Sequence, residues 1–167
     1  MLFRSLANEN GCVVISLPHA GHASVVACLL DEDFEYREWG LLDRTHIRFF
    51  GIKNMQSLFE SAGLKIISAE FVVRHPEDTE LARHWVALPE YVQAALLSNQ
   101  FSRVYQVVIK AVPAGRAGQA ESLLSMKVEQ FGRPVRARWK VMIENMVQKY
   151  VGRGLIRIIN KWTGLKF

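Results

Sequence analysis

Four charged or titratable side chains stand within six residues of this sequence: Asp43, Arg44, His46 and Arg48. An imidazole titrates near neutral pH and can take a proton from a hydroxyl group, so His46 is the candidate general base. Arg44 and Arg48 carry guanidinium groups that can hold an anionic part of a substrate. We count Asp43 and the aromatic Phe49 with them as substrate-binding candidates. The alternative is that Asp43 and Arg44 cap and pair locally while His46 is a structural histidine.

Two more histidines follow an apolar run that ends at Pro18. His19 and His22 would lie at the carboxyl end of a strand, where open α/β folds bind ligands, and Pro18 and His19 are therefore substrate-binding candidates. Two histidines three residues apart with no third ligand make a poor metal site, so we expect no metal. His75 and His84 have no such neighbours, and we expect them on the surface or in helix packing.

The composition predicts one compact domain with an appendage. The chain has 167 residues, half of them apolar, without an apolar run of membrane-spanning length. Its first ten residues do not resemble a secretory leader, so we expect a cytoplasmic protein. Cys12 and Cys28 lie in apolar stretches without a second pair, and we expect small buried side chains rather than a zinc site or a disulfide.

The charge divides the chain into two parts. Residues 1–114 hold 10 Lys/Arg and 13 Asp/Glu, whereas residues 115–167 hold 11 and 3. A segment rich in Pro and Gly, residues 112–118, breaks both helix and strand patterns at the same place. We therefore predict a body at residues 1–112, a linker with a short helix at 113–134, and a basic tail at 135–167.

The body alternates between strand-like and helix-like patterns, which favours an α/β fold. The apolar run 12–17 predicts a short strand covered by helices on both faces. Residues 52–62 place apolar side chains at helical spacing, and Gly63 stands where a left-handed cap would end that helix. Residues 1–8 resemble the end of another helix.

Three further patterns complete the body. Residues 79–97 have helical spacing broken at Pro89, which predicts two short helices or a kink. Residues 103–111 form a β-branched and aromatic run typical of a strand. Residues 64–73 alternate as a half-buried strand, with four side chains predicted to share one face: Ile67, Ala69, Phe71 and Val73.

Three phrases follow one another along residues 11–66: GCVVISLPHAGHASV, GLLDRTHIRFF and MQSLFESAGLKI. In wording, order and spacing they resemble class I S-adenosylmethionine-dependent methyltransferases, especially the bacterial type encoded beside glycosyltransferases in polysaccharide clusters. The resemblance implies that the phrases are the fifth strand, a lid or substrate-binding insertion, and the helix before the closing strands. Residues 67–73 and 103–111 would then be the sixth and seventh strands, an antiparallel pair.

The resemblance covers the back half of that family's domain. It implies an α/β fold with a partial Rossmann-like methyltransferase sheet, strands five to seven, with flanking helices and a C-terminal helical extension. The cofactor would be S-adenosylmethionine, but the sequence contains no GxGxG loop after a first strand and no acidic residue ending a second one. We therefore expect weak cofactor binding, or none, by this chain alone.

The family's sheet order, 3-2-1-4-5-7-6, would leave the fifth strand with an unpaired edge. A second chain that supplies the cofactor-binding half, the C-terminal helices, or self-association could cover that edge.

The tail carries an apolar stripe at helical spacing with Arg and Lys on either side. Residues 135–162 could dock on the body, or lie on an anionic membrane at the inner face. We do not expect nucleic-acid binding, because the aromatic side chains fall in the apolar stripe and not on the basic face.

Two functions remain at this stage. The first is a split or truncated methyltransferase that acts on a hydroxyl of a small molecule or glycan. The second is a non-catalytic remnant that serves as an interaction module, with the basic tail reaching a membrane surface or a partner protein.

Overall fold

A computed structural model describes residues 11–116 and 118–128 of the chain. These residues form a small α/β fold in which helices flank a three-stranded antiparallel sheet. The predicted N-terminal helix, the basic amphipathic tail and part of the linker lie outside the described residues.

The sheet has the strand order β1-β3-β2, where β1 is Val13–Pro18, β2 is Leu64–Val73 and β3 is Val104–Pro113. The central strand β3 runs antiparallel to both neighbours, with Ile109 opposite Ile15 on one side and Ala69 on the other. A continuous β-branched run suits this central position, because both edges and both faces of the strand are covered. The antiparallel pairing of β2 with β3 is as predicted.

Four α-helices and one short 3-10 helix connect the strands. They are α1 (Ala23–Leu30), α2 (Ile52–Ser61), the 3-10 helix Pro76–Asp78, α3 (Ala82–Ala87) and α4 (Glu90–Leu97). Among the described residues, no helix is long and apolar enough to cross a membrane. We call the connection between α1 and α2, residues 31–50, the long loop.

Two residues predicted to end or interrupt helices, Gly63 and Pro89, do so in the structure. Gly63 follows α2 with φ +68°, a left-handed conformation that glycine adopts without steric cost. Pro89 is the N-cap of α4 and separates it from α3, because proline cannot donate the backbone hydrogen bond that would continue α3. Both the cap and the break predicted from the sequence are confirmed.

The main core lies between α2 and one face of the sheet. Met55 and Phe59 of α2 are 0% and 2% exposed, and they pack with Val107 and Ile109 of β3. A second cluster fills the space between α1 and the long loop, with four buried members from those elements: Val25, Cys28, Leu41 and Leu42. The body therefore holds the long loop against its own apolar interior.

Two predictions about the strands were wrong. In β1, Ser16 is exposed and the other side chains except Pro18 are partly exposed, so among the described residues helices do not cover both faces of the strand. In β2 a bulge between Ile66 and Ser68 shifts the alternation, so that Ile66 is buried where Ile67 was expected. A bulge adds one residue to a strand and reverses the faces of the side chains beyond it.

Candidate functional site

The carboxyl end of β1 is closed by side chains of the chain itself. Pro18 is buried and lies opposite Gln106 of β3. His19 is 4% exposed, its backbone N–H donates to the Tyr105 carbonyl at 3.1 Å, and its Nδ1 donates to the Val104 carbonyl at 3.0 Å. Burial lowers the pKa of His19, although the backbone carbonyls beside it act in the opposite direction. His19 is therefore a neutral imidazole that fastens β1 to the start of β3.

His22 is fully buried and serves as the N-cap of α1. Its Nε2 lies 3.1 Å from the Arg74 carbonyl, which can only accept, so Nε2 carries the proton. Its Nδ1 then accepts from the backbone N–H of Ser24 at 3.2 Å and from the Ser24 hydroxyl at 2.8 Å. Burial lowers the pKa of His22 to about 3, so the ring stays neutral at physiological pH. Both ring nitrogens of His22 are therefore hydrogen-bonded within the protein, and together they join the start of α1 to the end of β2.

The charged cluster predicted from the sequence lies in the second half of the long loop. Asp43 is 7% exposed, and its Oδ1 accepts from the N–H and the hydroxyl of Thr45, both at 2.7 Å. These two hydrogen bonds form a local turn at residues 43–45, which sets the direction of the loop beyond Thr45. Arg44 points to solvent and pairs with Glu38 at 2.8 Å, while Arg48 is exposed. Asp43 and Arg44 are therefore engaged locally.

His46, the histidine of this cluster, has a ring that makes no hydrogen bond to the described residues. Its backbone N–H donates to the Asp43 carbonyl at 2.9 Å, and its ring meets Phe49 edge-on with 6.3 Å between the centroids. The side chain is half-buried, and its Nδ1 is enclosed without a hydrogen-bond partner among the described residues. Phe49 in turn packs on the second core cluster. Because Nδ1 is enclosed, Nε2 is the ring nitrogen of His46 that is left for another molecule.

Three residues at the base of the long loop escaped the sequence analysis. The Tyr105 hydroxyl donates to Glu80 Oε2 at 3.0 Å, and the Arg74 guanidinium carbon lies 4.6 Å from the centre of the Tyr105 ring. Burial and the negative charge of Glu80 raise the pKa of Tyr105, so its phenol remains a donor. These residues come from the turn before α3, the start of β3 and the end of β2, so no local sequence pattern unites them.

His84 is buried, as expected for helix packing, and its Nδ1 lies 2.7 Å from Asp31 Oδ2 at the end of α1. Arg83 donates to the other ring nitrogen at 3.0 Å and to Asp33 at 2.6 Å. This network ties α3 to the start of the long loop. Within the part of the chain that the structure describes, no group of three or more His, Cys, Asp or Glu side chains could hold a metal ion.

Around Gly21, the end of β1 does not offer an S-adenosylmethionine cradle. Such a cradle needs a glycine whose backbone a ligand can approach. At Gly21, the glycine nearest the end of β1, an added Cβ would lie 2.7 Å from Nε2 of His19, so its open side is filled by an imidazole. The backbone N–H groups of His19 and Ala20 already donate to Tyr105 and Phe50.

Neither a protein-family model nor a curated protein matches this chain.

Proposed function

We propose that residues 11–128 form the acceptor-side half of a class I S-adenosylmethionine-dependent methyltransferase that acts on a hydroxyl of a small molecule or glycan. The strand order carries the proposal: β1-β3-β2, with β3 antiparallel to both neighbours, corresponds to strands 5-7-6 of that family's sheet. The long loop comes after β1 and α1 in the chain. Phe50, its last residue, forms a parallel β-bridge with His19, so the end of the lid-like phrase lies beside the carboxyl end of β1.

The free edge of β1 supports the same proposal. Among residues 11–116 and 118–128, the backbone of Val13–Leu17 pairs with β3 on one side alone. An apolar edge strand with unpaired backbone groups accepts another strand readily. In the proposed enzyme, the fourth strand of the cofactor-binding half would pair along this edge, whether that half belongs to the same polypeptide or to another.

His46 would act on the acceptor. A methyltransferase acting on a hydroxyl must orient that group and remove its proton. Since Nδ1 of His46 is enclosed, Nε2 is the nitrogen that would take the proton, and Phe49 would hold the ring in place. Arg48 would bind an anionic part of the acceptor, because Arg44 is already paired with Glu38.

A second function, an interaction module without catalysis, is favoured by the closed end of β1. Nδ1 of His19 and both ring nitrogens of His22 are bonded to the protein's own backbone and to Ser24, and the His19 ring fills the open side of Gly21. In this alternative the edge of β1 binds a protein partner, and the cofactor is not bound in any assembly.

Titration calorimetry with S-adenosylhomocysteine distinguishes the two functions. The ligand is added to the purified 167-residue chain, and then to the chain mixed with the product of the gene immediately upstream. Binding in the mixture but not by the chain alone is expected for a split methyltransferase. Absence of binding in both titrations would favour the interaction module, and binding by the chain alone would contradict the closed end of β1.

The variant His46→Asn tests the assigned base in the mixture. The substitution removes the imidazole and keeps a polar side chain, so we expect S-adenosylhomocysteine to bind unchanged while methyl transfer falls at least a hundredfold. Arg44→Ala serves as the matched control, because Arg44 belongs to the same loop but is paired with Glu38. An equal loss of methyl transfer in His46→Asn and Arg44→Ala would contradict the assignment of His46 as the base.

A further inference from the structure

The carboxylate of Glu80 joins the long loop to the sheet. Glu80 lies just after the 3-10 helix and is partly buried. Its Oε1 accepts the backbone N–H of Leu41 in the long loop, and its Oε2 accepts the hydroxyl of Tyr105 in β3 at 3.0 Å. Hydrogen bonds to an ionised acceptor are about twice as strong as those between neutral groups.

Gly40 makes this approach possible. It has φ +96°, and an added Cβ would lie within bonding distance of the Glu80 carboxylate, at 2.1 Å from Oε1. No other residue could occupy this position without displacing the carboxylate or the backbone. Glycine at position 40 therefore allows the Glu80 carboxylate to approach the backbone of the long loop.

Among the described residues, the backbone of residues 34–49 bonds mainly to itself. Its backbone hydrogen bonds join members of the loop to one another, as from Arg37 to Leu42, Arg44 to Arg37 and His46 to Asp43. Within the same part of the chain, the bond from Leu41 to Glu80 links this stretch of backbone to the rest of the protein. The other attachments are made by side chains, namely the solvent-exposed pairing of Glu35 with Arg83 and the packing of apolar residues.

We propose that Glu80 is a latch for the long loop, and that releasing its carboxylate lets residues 34–49 open as a unit while the sheet stays folded. Opening would expose the Tyr105 hydroxyl and move His46 and Phe49 together with the loop. A segment that depends on few attachments opens at a lower free energy than the sheet it covers. This inference is independent of methyl transfer, since it concerns access to the end of β1 whatever binds there.

The variant Glu80→Ala in the full chain tests the latch. Amide hydrogen exchange is followed at Leu41, whose N–H donates to Glu80, and at Ile109 in the central strand. Trypsin cleavage after Arg44 and Arg48 is followed by mass spectrometry, so that cleavage elsewhere in the chain does not interfere. We expect exchange at Leu41 and cleavage after both arginines to accelerate at least tenfold, with exchange at Ile109 unchanged.

Glu60→Ala is the matched control, because Glu60 lies on the exposed face of α2 and accepts a hydrogen bond from Gln56 alone. If Glu80→Ala accelerates loop exchange and cleavage no more than this control does, the latch is refuted. Equal acceleration at Leu41 and Ile109 would also refute it, since the whole domain would then be opening.

Tyr105→Phe provides a milder variant in case Glu80→Ala does not fold. It removes one of the two hydrogen bonds of the carboxylate and leaves Leu41 unchanged. We expect a smaller acceleration, a few-fold, again confined to the loop. No acceleration at Leu41 in this variant would show that Tyr105 does not hold Glu80 in place, and would overturn the proposal.

Discussion

His22 and His46 both lie on the segment between β1 and α2, but the structure uses them in opposite ways. His22 is fully buried, and both of its ring nitrogens have partners within the chain. His46 is half-buried on the long loop, and its Nδ1 has no partner among the described residues. The difference shows that a histidine's surroundings, and not its nearness to a strand end, decide whether it is free to act on another molecule.

The two regions around them differ in the same way. At the end of β1, backbone and side-chain hydrogen bonds join three distant segments into one rigid junction. The long loop bonds mainly to itself and exposes large side chains, including Trp39 at 53% and Ile47 at 94%. We therefore expect stability to reside in the first region and binding in the second.

The largest effect is expected from removing the buried imidazole. His22→Ala removes the cap of α1 and leaves the Arg74 carbonyl without its donor, so we expect the free energy of unfolding to fall by about 3 kcal/mol. His46→Ala should cost about 1 kcal/mol or less, because its ring makes no hydrogen bond to any of the described residues. Urea denaturation at pH 7 measures the free energy of unfolding of both variants. Equal losses in the two would contradict the expected difference between His22 and His46.

Acid should destabilise the protein through the same residue. The folded pKa of His22 is about 3 and its ordinary value is 6.5, so below pH 6.5 the unfolded chain binds a proton that the folded chain does not. This contribution to stability is therefore complete above pH 6.5. It is lost at up to about 1.4 kcal/mol per pH unit as the pH falls toward 3.

His22→Asn tests this pH dependence, because asparagine can cap α1 but does not titrate. We expect urea midpoints measured between pH 4 and pH 7 to fall less steeply with acid in this variant than in the parent chain. The same slope in both proteins would mean that His22 is not the group that takes up the proton.

The smallest effect on stability is expected at the loop surface. Arg44 and Glu38 form an ion pair whose side chains are 66% and 71% exposed, and solvent screens such pairs. We expect Arg44→Ala to change the free energy of unfolding by less than about 0.5 kcal/mol in urea denaturation at pH 7. A loss comparable to that of His22→Ala would show that the long loop is part of the stable core.

Much of the fold could be predicted from local patterns. The helix ending at Gly63, the break at Pro89 and the strands at 64–73 and 103–111 depend on side-chain periodicity and on residues with restricted or unusual backbone freedom. Local patterns do not predict the helix α1, because a short apolar run suits a strand or a buried helix equally. The bulge in β2 was missed because it depends on pairing with β3.

Local sequence patterns located most of the helices and strands and singled out the charged cluster of the long loop, because these features depend on residues close together in the chain. Which of the charged and titratable side chains are free depends on the tertiary structure. It engaged Arg44 with Glu38, committed His19 and His22 to the backbone, and brought Glu80 to Tyr105 across 25 positions. Hydrogen-bond partners are set by distance in space, and distant partners leave no periodic signal in the sequence.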